Sequence, residues 1–434
     1  MKFYDRISEI TALQSIEQAS VEAAQMTMLV GRRRIGKTTL LKNTFQTPFL
    51  YFFVAKKNEI LLCDEFSREI NEKLGIPTGS YSAFPELFKA VMQLSQRMNF
   101  TLVIDEFQEF RTVNSSIFSD MQNIWDSTKD GSKINLILCG SIYSMMKRIF
   151  ENSKEPLFGR ATARMIVKAF DTNTTKEILS DYNPDYTNDD LLAFYMITGG
   201  VAKYIEQLVN KKAFTKNAIL DALFTEGSFF LDEGRDVLID EFGKDYGNYF
   251  SILSLIASSK TDRGQIESTL NMDVGGYLDR LEKEYNLIKR NRPFGAKEGR
   301  RSNKYKIEDC FLNFWFRFIY KYRGAVEIGN LDYVRDIVER DYETYSGIIL
   351  EKYFRAKMIE SKAFSGIQSY WNSKGENEID IVAVNEYEKR LVFCEVKRNA
   401  RRISLGELES KAKAVIAKYP EFSIEFKELS LKDM

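Results

Sequence analysis

The sequence predicts a multidomain α/β protein, and three observations lead to this prediction. The chain has 434 residues, well above the ~250 to 300 residues at which single cores stop growing. Short apolar runs alternate with polar helical segments through residue 170, which is typical of a parallel sheet covered by helices on both faces. A second alternation near the C-terminus indicates a further, smaller α/β domain.

The first predicted domain, residues 1–170, contains a parallel sheet. Its predicted strands are the apolar runs at residues 26–30, 49–55, 100–104, 134–139 and 164–167. From residue 172 to about 231 the pattern becomes helical, with a break at Gly199 and Gly200. We therefore predict a helical lid over residues 171–240.

The next segment, residues 241–325, reads as two or three short helices followed by a β-hairpin, which describes a winged helix. Its aromatic end, FLNFWFRFIYKY at residues 311–322, is interpreted as a helix of the core. Residues 326–434 begin with a helix and continue into the strand patterns NEIDIVAV and LVFCEVK. That order predicts a small C-terminal α/β domain.

Composition excludes several kinds of chemistry and partner. Lysine plus arginine equals aspartate plus glutamate at 62 each, so net charge gives no general reason to expect nucleic acid or an anionic membrane. The chain has no histidine, which excludes imidazole bases and histidine metal ligands. The cysteines are far apart and form no CxxC pair; they are Cys63, Cys139, Cys310 and Cys394. We expect reduced thiols, no membrane span and a cytoplasmic location.

The segment MTMLVGRRRIGKTTLL fits the pattern GxxxxGK[ST] between an apolar strand and a helix, the context that a P-loop requires. Backbone N–H groups of such a loop turn towards phosphate, and the helix N-terminus adds a partial positive charge. Lys37 would reach the β and γ phosphates of ATP, and the Thr38 hydroxyl would bind Mg²⁺. The predicted nucleotide-binding residues are Gly31, Arg32, Arg33, Arg34, Ile35, Gly36, Lys37, Thr38 and Thr39.

Acidic and polar residues that would complete the site follow later strands. The run FTLVIDEF ends in Asp105, expected to hold Mg²⁺, and Glu106, expected to polarise the attacking water. INLILCGS places Ser141 where a γ-phosphate sensor would stand. In PLFGRATAR, Arg160 or Arg164 would neutralise transition-state charge, in its own chain or in a neighbouring subunit, or would only form a salt bridge.

These motifs together resemble a known family. The P-loop, the DE strand end, the strand ending in GS, PLFGR and TGGVAKYI look like the AAA+ ATPases of the archaeal-type, STAND-related group, here in a bacterial member. The resemblance extends over nearly the whole chain. It implies ATP hydrolysis, a winged helix and a restriction-endonuclease-like C-terminal domain, and it leaves both rings and monomers open.

The C-terminal strands have the layout of the PD-(D/E)XK nuclease core that this resemblance implies. Asp380 lies on one strand, and Glu395 and Lys397 share a face of the next, because side chains alternate along a strand. Two carboxylates can bind Mg²⁺, and the lysine can activate water for phosphodiester cleavage. Glu351 on the preceding helix matches the acid that completes the metal site in such folds. The alternative interpretation is an edge hairpin with solvated charges.

A local basic stretch lies in the predicted winged helix. Its members are Lys289, Arg290, Arg292, Lys297, Arg300, Arg301 and Lys304. Such a cluster can contact DNA phosphates, or it can be a solvated loop balanced by Glu282, Glu284 and Glu298.

Two functions follow for the whole chain. In the first, the chain is an ATP-driven switch or motor coupled to DNA, and the C-terminal domain cuts or grips that DNA. In the second, it is a signalling or scaffolding ATPase whose later domains bind protein partners. A slow nucleotide-binding switch with negligible turnover is a third possibility. All three hypotheses use the same P-loop, so only the properties of the C-terminal half can distinguish between them.

Overall fold

The computed structural model describes residues 1–45, 48–243, 246–296, 303–372 and 377–434. They divide into two compact units. One unit comprises residues Asp5–Lys168, and the other comprises Met1–Tyr4 with Ala169–Met434. Within the described ranges no helix is long and apolar enough to cross a membrane.

The unit Asp5–Lys168 is a parallel sheet with helices packed on it. Its elements in chain order are α1 (Ile7–Ala19), β1 (Gln25–Val30), α2 (Lys37–Thr44), β2 (Phe49–Phe53), α3 (Glu59–Leu74), α4 (Phe84–Ser95), β3 (Phe100–Asp105), α5 (Phe110–Val113), α6 (Ile117–Thr128), β4 (Ile134–Gly140), α7 (Tyr143–Glu151) and β5 (Ala163–Ile166). The predicted α/β class and parallel sheet are confirmed.

The strands of this sheet lie in the order β2-β3-β4-β1-β5, and every pairing is parallel. Both β3 and β4 are buried along their whole length, because a central parallel strand is covered on both faces. The core between sheet and helices includes Phe52, Phe66 and Phe84, with the rings of Phe52 and Phe66 stacked at 4.3 Å. A rigid sheet therefore supports the loops at its carboxyl edge.

The unit containing Ala169–Met434 begins with helices. These are α8 (Thr172–Tyr182), α9 (Asn188–Thr198), α10 (Ala202–Asn210), α11 (Lys216–Leu223), α12 (Phe229–Phe242), α13 (Tyr246–Ala257), α14 (Arg263–Leu270) and α15 (Gly275–Lys283). Helix α9 ends at Gly199 with φ 50°, followed by Gly200 with φ 78°. A Cβ on Gly200 would lie 2.1 Å from the Phe170 carbonyl oxygen, so the break requires glycine.

A hairpin and the aromatic segment follow. They form β6 (Ile288–Asn291), β7 (Lys304–Ile307), α16 (Cys310–Phe314), a π-helical turn (Trp315–Tyr320) and α17 (Arg323–Glu327). The strands β6 and β7 pair antiparallel. Phe311 and Phe316 are fully buried, and Trp315 Nε1 donates to the Leu231 carbonyl at 2.8 Å. The aromatic segment is therefore core, as its composition predicts.

The C-terminal elements build a second sheet. They are α18 (Leu331–Glu360), β8 (Gly366–Tyr370), β9 (Ile379–Asn385), β10 (Arg390–Val396), α19 (Leu405–Ile416) and β11 (Ser423–Leu429). The strand order is β11-β10-β9-β8, parallel between β10 and β11 and antiparallel elsewhere. This is the separate mixed-sheet domain that the sequence predicts.

The helices predicted as a lid belong to the same compact unit as this second sheet. Arg398, after β10, pairs with Asp189 at the start of α9 at 2.8 Å. Glu360, at the end of α18, accepts from the backbone N–H of Thr172 at 3.1 Å. These contacts fasten the first two helices of the segment, α8 and α9, to C-terminal elements.

Candidate functional site

The loop between β1 and α2 has the geometry of a phosphate cradle. Gly36 adopts φ 95° at the N-terminus of α2, and Arg34 also has a positive φ of 73°. A Cβ on Gly31 would lie 3.0 Å from the Val167 carbonyl oxygen. Glycine at both ends therefore lets the loop turn tightly and direct N–H groups towards an anion at the helix N-terminus.

Lys37, the first residue of α2, is held by this loop. Its Nζ donates to the Gly31 carbonyl at 2.7 Å and to the Arg32 carbonyl at 3.4 Å. The side chain is buried, so its charge is balanced by loop carbonyls. Because a phosphate oxygen is a stronger partner for an ammonium group than a carbonyl is, Lys37 is positioned to exchange these bonds for contacts with phosphate. The predicted Thr39 lies in the same first turn of α2.

Thr38 and Asp105, the two predicted Mg²⁺ ligands, are joined through a residue that the sequence did not single out. The Tyr51 hydroxyl on β2 lies 3.3 Å from Thr38 Oγ1 and donates to Asp105 Oδ2. Burial and then the charge of Asp105 raise the pKa of Tyr51. Hydroxyl and carboxylate oxygens are the donors that Mg²⁺ takes, so this set of residues fits the ion. A tyrosine in an alternating strand carries no motif that would have identified it.

Glu106 and Ser141 meet beside this group. Ser141 Oγ donates to Glu106 Oε2 at 2.7 Å, and Gln108 Nε2 donates to the same oxygen at 2.5 Å. Glu106 has φ 53°, a left-handed conformation that costs energy for a non-glycine residue and is typical of functional sites. Gln108 is buried, and its Oε1 has no hydrogen-bond partner in the described parts of the chain. Gln108 was missed because one amide in a turn gives no sequence signal.

Strand order explains why these residues meet. Because β4 lies between β1 and β3, Ser141 after β4 stands between the P-loop after β1 and the acids after β3. The Gly31 N–H donates to the Gly140 carbonyl at 3.4 Å, which ties the loop to the end of β4. All these residues lie at the carboxyl edge of the sheet, where open α/β sheets bind their ligands.

Arg160, which was predicted to contact nucleotide in its own chain or in a neighbouring subunit, lies away from the P-loop of its own chain. Arg160 pairs with Asp126 on α6 at 3.0 Å. Two residues later, the Thr162 N–H donates to the Met26 carbonyl near the start of β1. Arg160 is therefore near the amino edge of the sheet, about 15 to 20 Å from the P-loop, because that is the length of a strand such as β1. Arg164, on β5, pairs with Glu151 at 3.4 Å.

A second cluster of charged side chains lies on the C-terminal sheet. Lys397 Nζ is 2.9 Å from Glu395 Oε1 and 3.6 Å from Asp380 Oδ2. Asp380 Oδ2 also accepts from the Val396 N–H at 2.8 Å. Lys411 on α19 adds a contact of 3.5 Å to Glu395. The structure thus brings Asp380, Glu395 and Lys397 together across β9 and β10.

The titration of this cluster is perturbed. Burial and then the charge of Asp380 raise the pKa of Glu351 on α18 to about 7. Burial also raises the pKa of Asp380. For Lys397, burial lowers the pKa, but the hydrogen bond to Glu395 and the nearby carboxylates outweigh it, so the pKa is raised. Perturbed groups that share a cleft are typical of functional sites.

The predicted metal ligands Glu351, Asp380 and Glu395 do not form a compact three-carboxylate group. Across the described ranges, no three Asp, Glu or Cys side chains are arranged to hold a metal ion. Instead, the Lys397 ammonium contacts both Asp380 and Glu395. Two carboxylates that share a lysine are still a donor pair that fits Mg²⁺.

A cavity of about 1170 Å³ opens between this cluster and the β6–β7 hairpin. Of the predicted basic stretch, Lys289, Arg290, Arg292 and Lys304 line it. Arg290 pairs with Glu282 at 2.7 Å, so part of the stretch is neutralised, as the alternative interpretation proposed. The remaining members of the stretch, Lys297, Arg300 and Arg301, lie outside the described residues.

Comparisons with known proteins agree with the first site. Residues 3–208 match a family model described as an ATPase domain predominantly from Archaea. Residues 315–412 match a model of archaeal and bacterial proteins of unknown function. An uncharacterized protein of Methanocaldococcus jannaschii is 28% identical over 406 residues, which covers 91% of this chain and 87% of that protein.

Among solved structures, the chain is similar to the Walker-type ATPase of Pyrococcus abyssi. The TM-score is 0.55 at 20% identity, over 72% of this chain and 96% of that one. It also matches the ORC2 protein of Aeropyrum pernix, solved as ADPNP and ADP complexes, with a TM-score of 0.49 at 13% identity over 78% and 96% of the chains. At such identities a likeness concerns the fold alone. Residues 3–208 thus match an ATPase domain of the archaeal type, and the geometry of the P-loop agrees with that match.

Proposed function

We propose that the chain binds ATP at the P-loop and hydrolyses it with Glu106 as the residue that activates water. The observation that carries the proposal is the convergence of Lys37, Thr38, Asp105, Glu106 and Ser141 at one edge of the sheet. Lys37 and Thr38 lie at the start of α2, Asp105 and Glu106 at the end of β3, and Ser141 directly after β4. Substrate atoms can therefore be held from several directions at once.

In the proposed reaction, these residues have different roles. Lys37 leaves its carbonyl partners and holds the β and γ phosphates, while Thr38 and Asp105 would hold Mg²⁺. A bound Mg²⁺ neutralises phosphate charge that develops in the transition state. Glu106 releases Ser141, orients a water molecule and accepts its proton as the water oxygen attacks the γ-phosphorus. The bond to the bridging oxygen then breaks, which gives ADP and phosphate.

Nucleotide binding is tested with the variant Lys37→Ala. Removal of the ammonium group takes away the main cation of the P-loop, so the affinity for a fluorescent ADP or ATP analogue should fall by at least about tenfold, the effect of 1.4 kcal/mol. Lys73→Ala, an exposed lysine on α3, is the matched control and should bind as the wild type does. Unchanged binding by Lys37→Ala would contradict the proposed site.

A second function concerns the C-terminal cluster. We propose that the chain is a nucleotide-driven switch coupled to nucleic acid, and that Asp380 and Glu395 would hold Mg²⁺ while Lys397 positions water for phosphodiester cleavage. The contact of Lys397 with both carboxylates supports this, as does the raised pKa of Glu351 beside them. The alternative is a signalling ATPase whose C-terminal elements bind protein partners.

Plasmid nicking in the presence of Mg²⁺ or Mn²⁺ separates these alternatives. Nicking should be lost in Asp380→Ala and Lys397→Ala but retained in Lys37→Ala, because the cluster and the P-loop lie in different compact units. If the wild type neither nicks DNA nor binds it at low salt, the signalling alternative stands.

A further inference from the structure

The β6–β7 hairpin is fastened to the C-terminal sheet. The Phe294 N–H, just after β6, donates to the Ser369 carbonyl on β8 at 2.8 Å. The Phe294 ring belongs to the buried core of the C-terminal sheet and lies 5.6 Å from the Tyr419 ring. Lys304 on β7 pairs with Glu378 at 3.0 Å and lies over the Trp371 ring. The hairpin is therefore a fixed wall of the cavity.

One face of this hairpin carries lysines that have no acidic partner on their own strands. Lys289 lies directly opposite Lys306, and Asn291 lies opposite Lys304. Side chains at alternate positions share a face, and like charges directly opposite one another are destabilising. In the described parts of the chain, neither Lys289 nor Lys306 forms a salt bridge. An anion between them would remove the repulsion.

The lysine face borders the same cavity as the acidic cluster. Lys289, Lys306, Asp380, Glu395 and Lys397 all line it. Lys306 is close enough to act electrostatically on Glu351. A phosphate chain crossing the cavity would thus pass between two lysines on one wall and a lysine with two carboxylates on the other. Phosphate contacts of this kind hold a strand without reading its sequence.

The size of the cavity limits what can enter. Pockets of roughly 300 to 1,000 Å³ enclose one drug-sized molecule, so 1170 Å³ has room for about two or three nucleotides. An extended single strand needs less room beside the fixed hairpin than a duplex, whose major groove alone is about 12 Å wide. The same volume suits an extended single strand, which is held by a basic groove along its backbone.

We propose that this cavity binds single-stranded nucleic acid, with Lys289 and Lys306 on the backbone phosphates and one phosphate facing the Asp380, Glu395 and Lys397 cluster. The inference rests on the proposed nucleic-acid function of the C-terminal unit and adds the strand type and its path. It differs from contact at an outer wing, because the lysines face the cavity.

Fluorescence anisotropy of the full-length protein with a labelled twelve-nucleotide single strand and the matching duplex, in EDTA to prevent cleavage, tests the proposal. The single strand should bind at least tenfold more tightly. Lys289→Gln with Lys306→Gln should weaken that binding by at least tenfold. It should also make the slope of log affinity against log salt shallower by about 1.4, because each phosphate that a lysine neutralises contributes about 0.7 to that slope.

The matched control is Lys413→Gln with Lys418→Gln, two exposed lysines on and after α19 that do not line the cavity. It removes the same charge and should leave single-strand binding unchanged, with thermal unfolding of both double variants confirming that they fold. Duplex binding equal to single-strand binding, or equal losses in the two double variants, would overturn the inference while the nucleic-acid function stands. If neither probe binds at low salt, the nucleic-acid function falls as well.

Discussion

The hydroxyl of Tyr51 bonds to the two side chains that Mg²⁺ would need. This hydroxyl therefore competes with Mg²⁺ for Thr38 and Asp105, and the substitution Tyr51→Phe removes it. A net hydrogen bond to a charged group contributes about 1.5 kcal/mol or more, so the Mg²⁺ concentration required for binding of a fluorescent ATP analogue should fall about tenfold. The nucleotide-free protein should unfold at a lower temperature for the same reason.

Tyr81→Phe is the matched control, since Tyr81 is a partly buried tyrosine that packs against the core of the same unit. Its Mg²⁺ requirement should equal that of the wild type. If Tyr51→Phe required more Mg²⁺ than the wild type, the hydroxyl would help to hold the ion. That result would contradict the prediction that the hydroxyl competes with Mg²⁺ for Thr38 and Asp105.

The pKa of Glu351 predicts how stability depends on pH. Its pKa is about 7 in the folded chain, against an ordinary 4.5, so between these values the folded state binds more protons than the unfolded state. The contribution of Glu351 to the free energy of unfolding therefore falls as pH rises from 4.5 to 7. In EDTA, Glu351→Gln should be more stable than the wild type by about 1 to 3 kcal/mol at pH 8 and little different at pH 4.5.

Urea unfolding at the two pH values measures this difference. Glu409→Gln on the exposed side of α19 is the control and should show the same small change at both. A Glu351→Gln variant that gains nothing at pH 8 would show that the carboxylate is solvated or paired in the folded chain.

At the residue scale, the motif positions were predictable and their partners were not. Gly31, Lys37, Thr38, Asp105 and Glu106 stand at spacings that phosphate and metal chemistry impose on a contiguous loop or strand end. Tyr51 contacts Thr38 and Asp105 only when separate elements assemble, whereas Gln108 bonds to Glu106 within one turn that has no distinctive sequence pattern. The position of Arg160 near the amino edge of the sheet was not predictable, because spacing along the chain does not reveal at which edge of a sheet a connection lies.

At the element scale, Phe294 holds the β6–β7 hairpin to the C-terminal sheet. Truncation in Phe294→Ala opens a cavity in that core, and such losses cost about 3 to 5 kcal/mol when the ring is fully buried. Phe294 is 8% exposed, so we expect about 2 to 4 kcal/mol from urea unfolding of the C-terminal unit. Tyr387→Ala, at a side chain 97% exposed, should change stability little; an equal loss in both variants would contradict this role.

The types of the elements were easier to predict from the sequence than the contacts through which the elements pack on one another. Continuous apolar runs predicted β3 and β4 as strands, and alternation predicted β9 and β10, because burial on one or two faces dictates those patterns. The attachment of the hairpin depends on Phe294, whose isolated position after Pro293 looks like an ordinary turn. The grouping of the predicted lid helices with the C-terminal sheet was also not predictable. It depends on contacts such as that between Arg398 and Asp189, which are more than two hundred residues apart in the sequence.

At the scale of the whole molecule, the two proposed sites lie in different compact units. The unit Asp5–Lys168 contains the P-loop, and the cavity with Asp380 and Lys397 lies within the other unit. The family matches divide the chain elsewhere: the ATPase model extends past Lys168 to residue 208, and the second model begins at residue 315. Loss of one activity by substitution should therefore leave the other measurable.

The most direct test of ATP hydrolysis at this site is a single-turnover assay of Glu106→Gln with radiolabelled ATP. The variant should bind ATP as the wild type does and cleave it at least about 100-fold more slowly, the lower limit for loss of a general base. Glu72→Gln, an exposed acid on α3, should cleave at the wild-type rate. A Glu106→Gln variant that cleaves ATP as fast as the wild type would contradict the central role of Glu106.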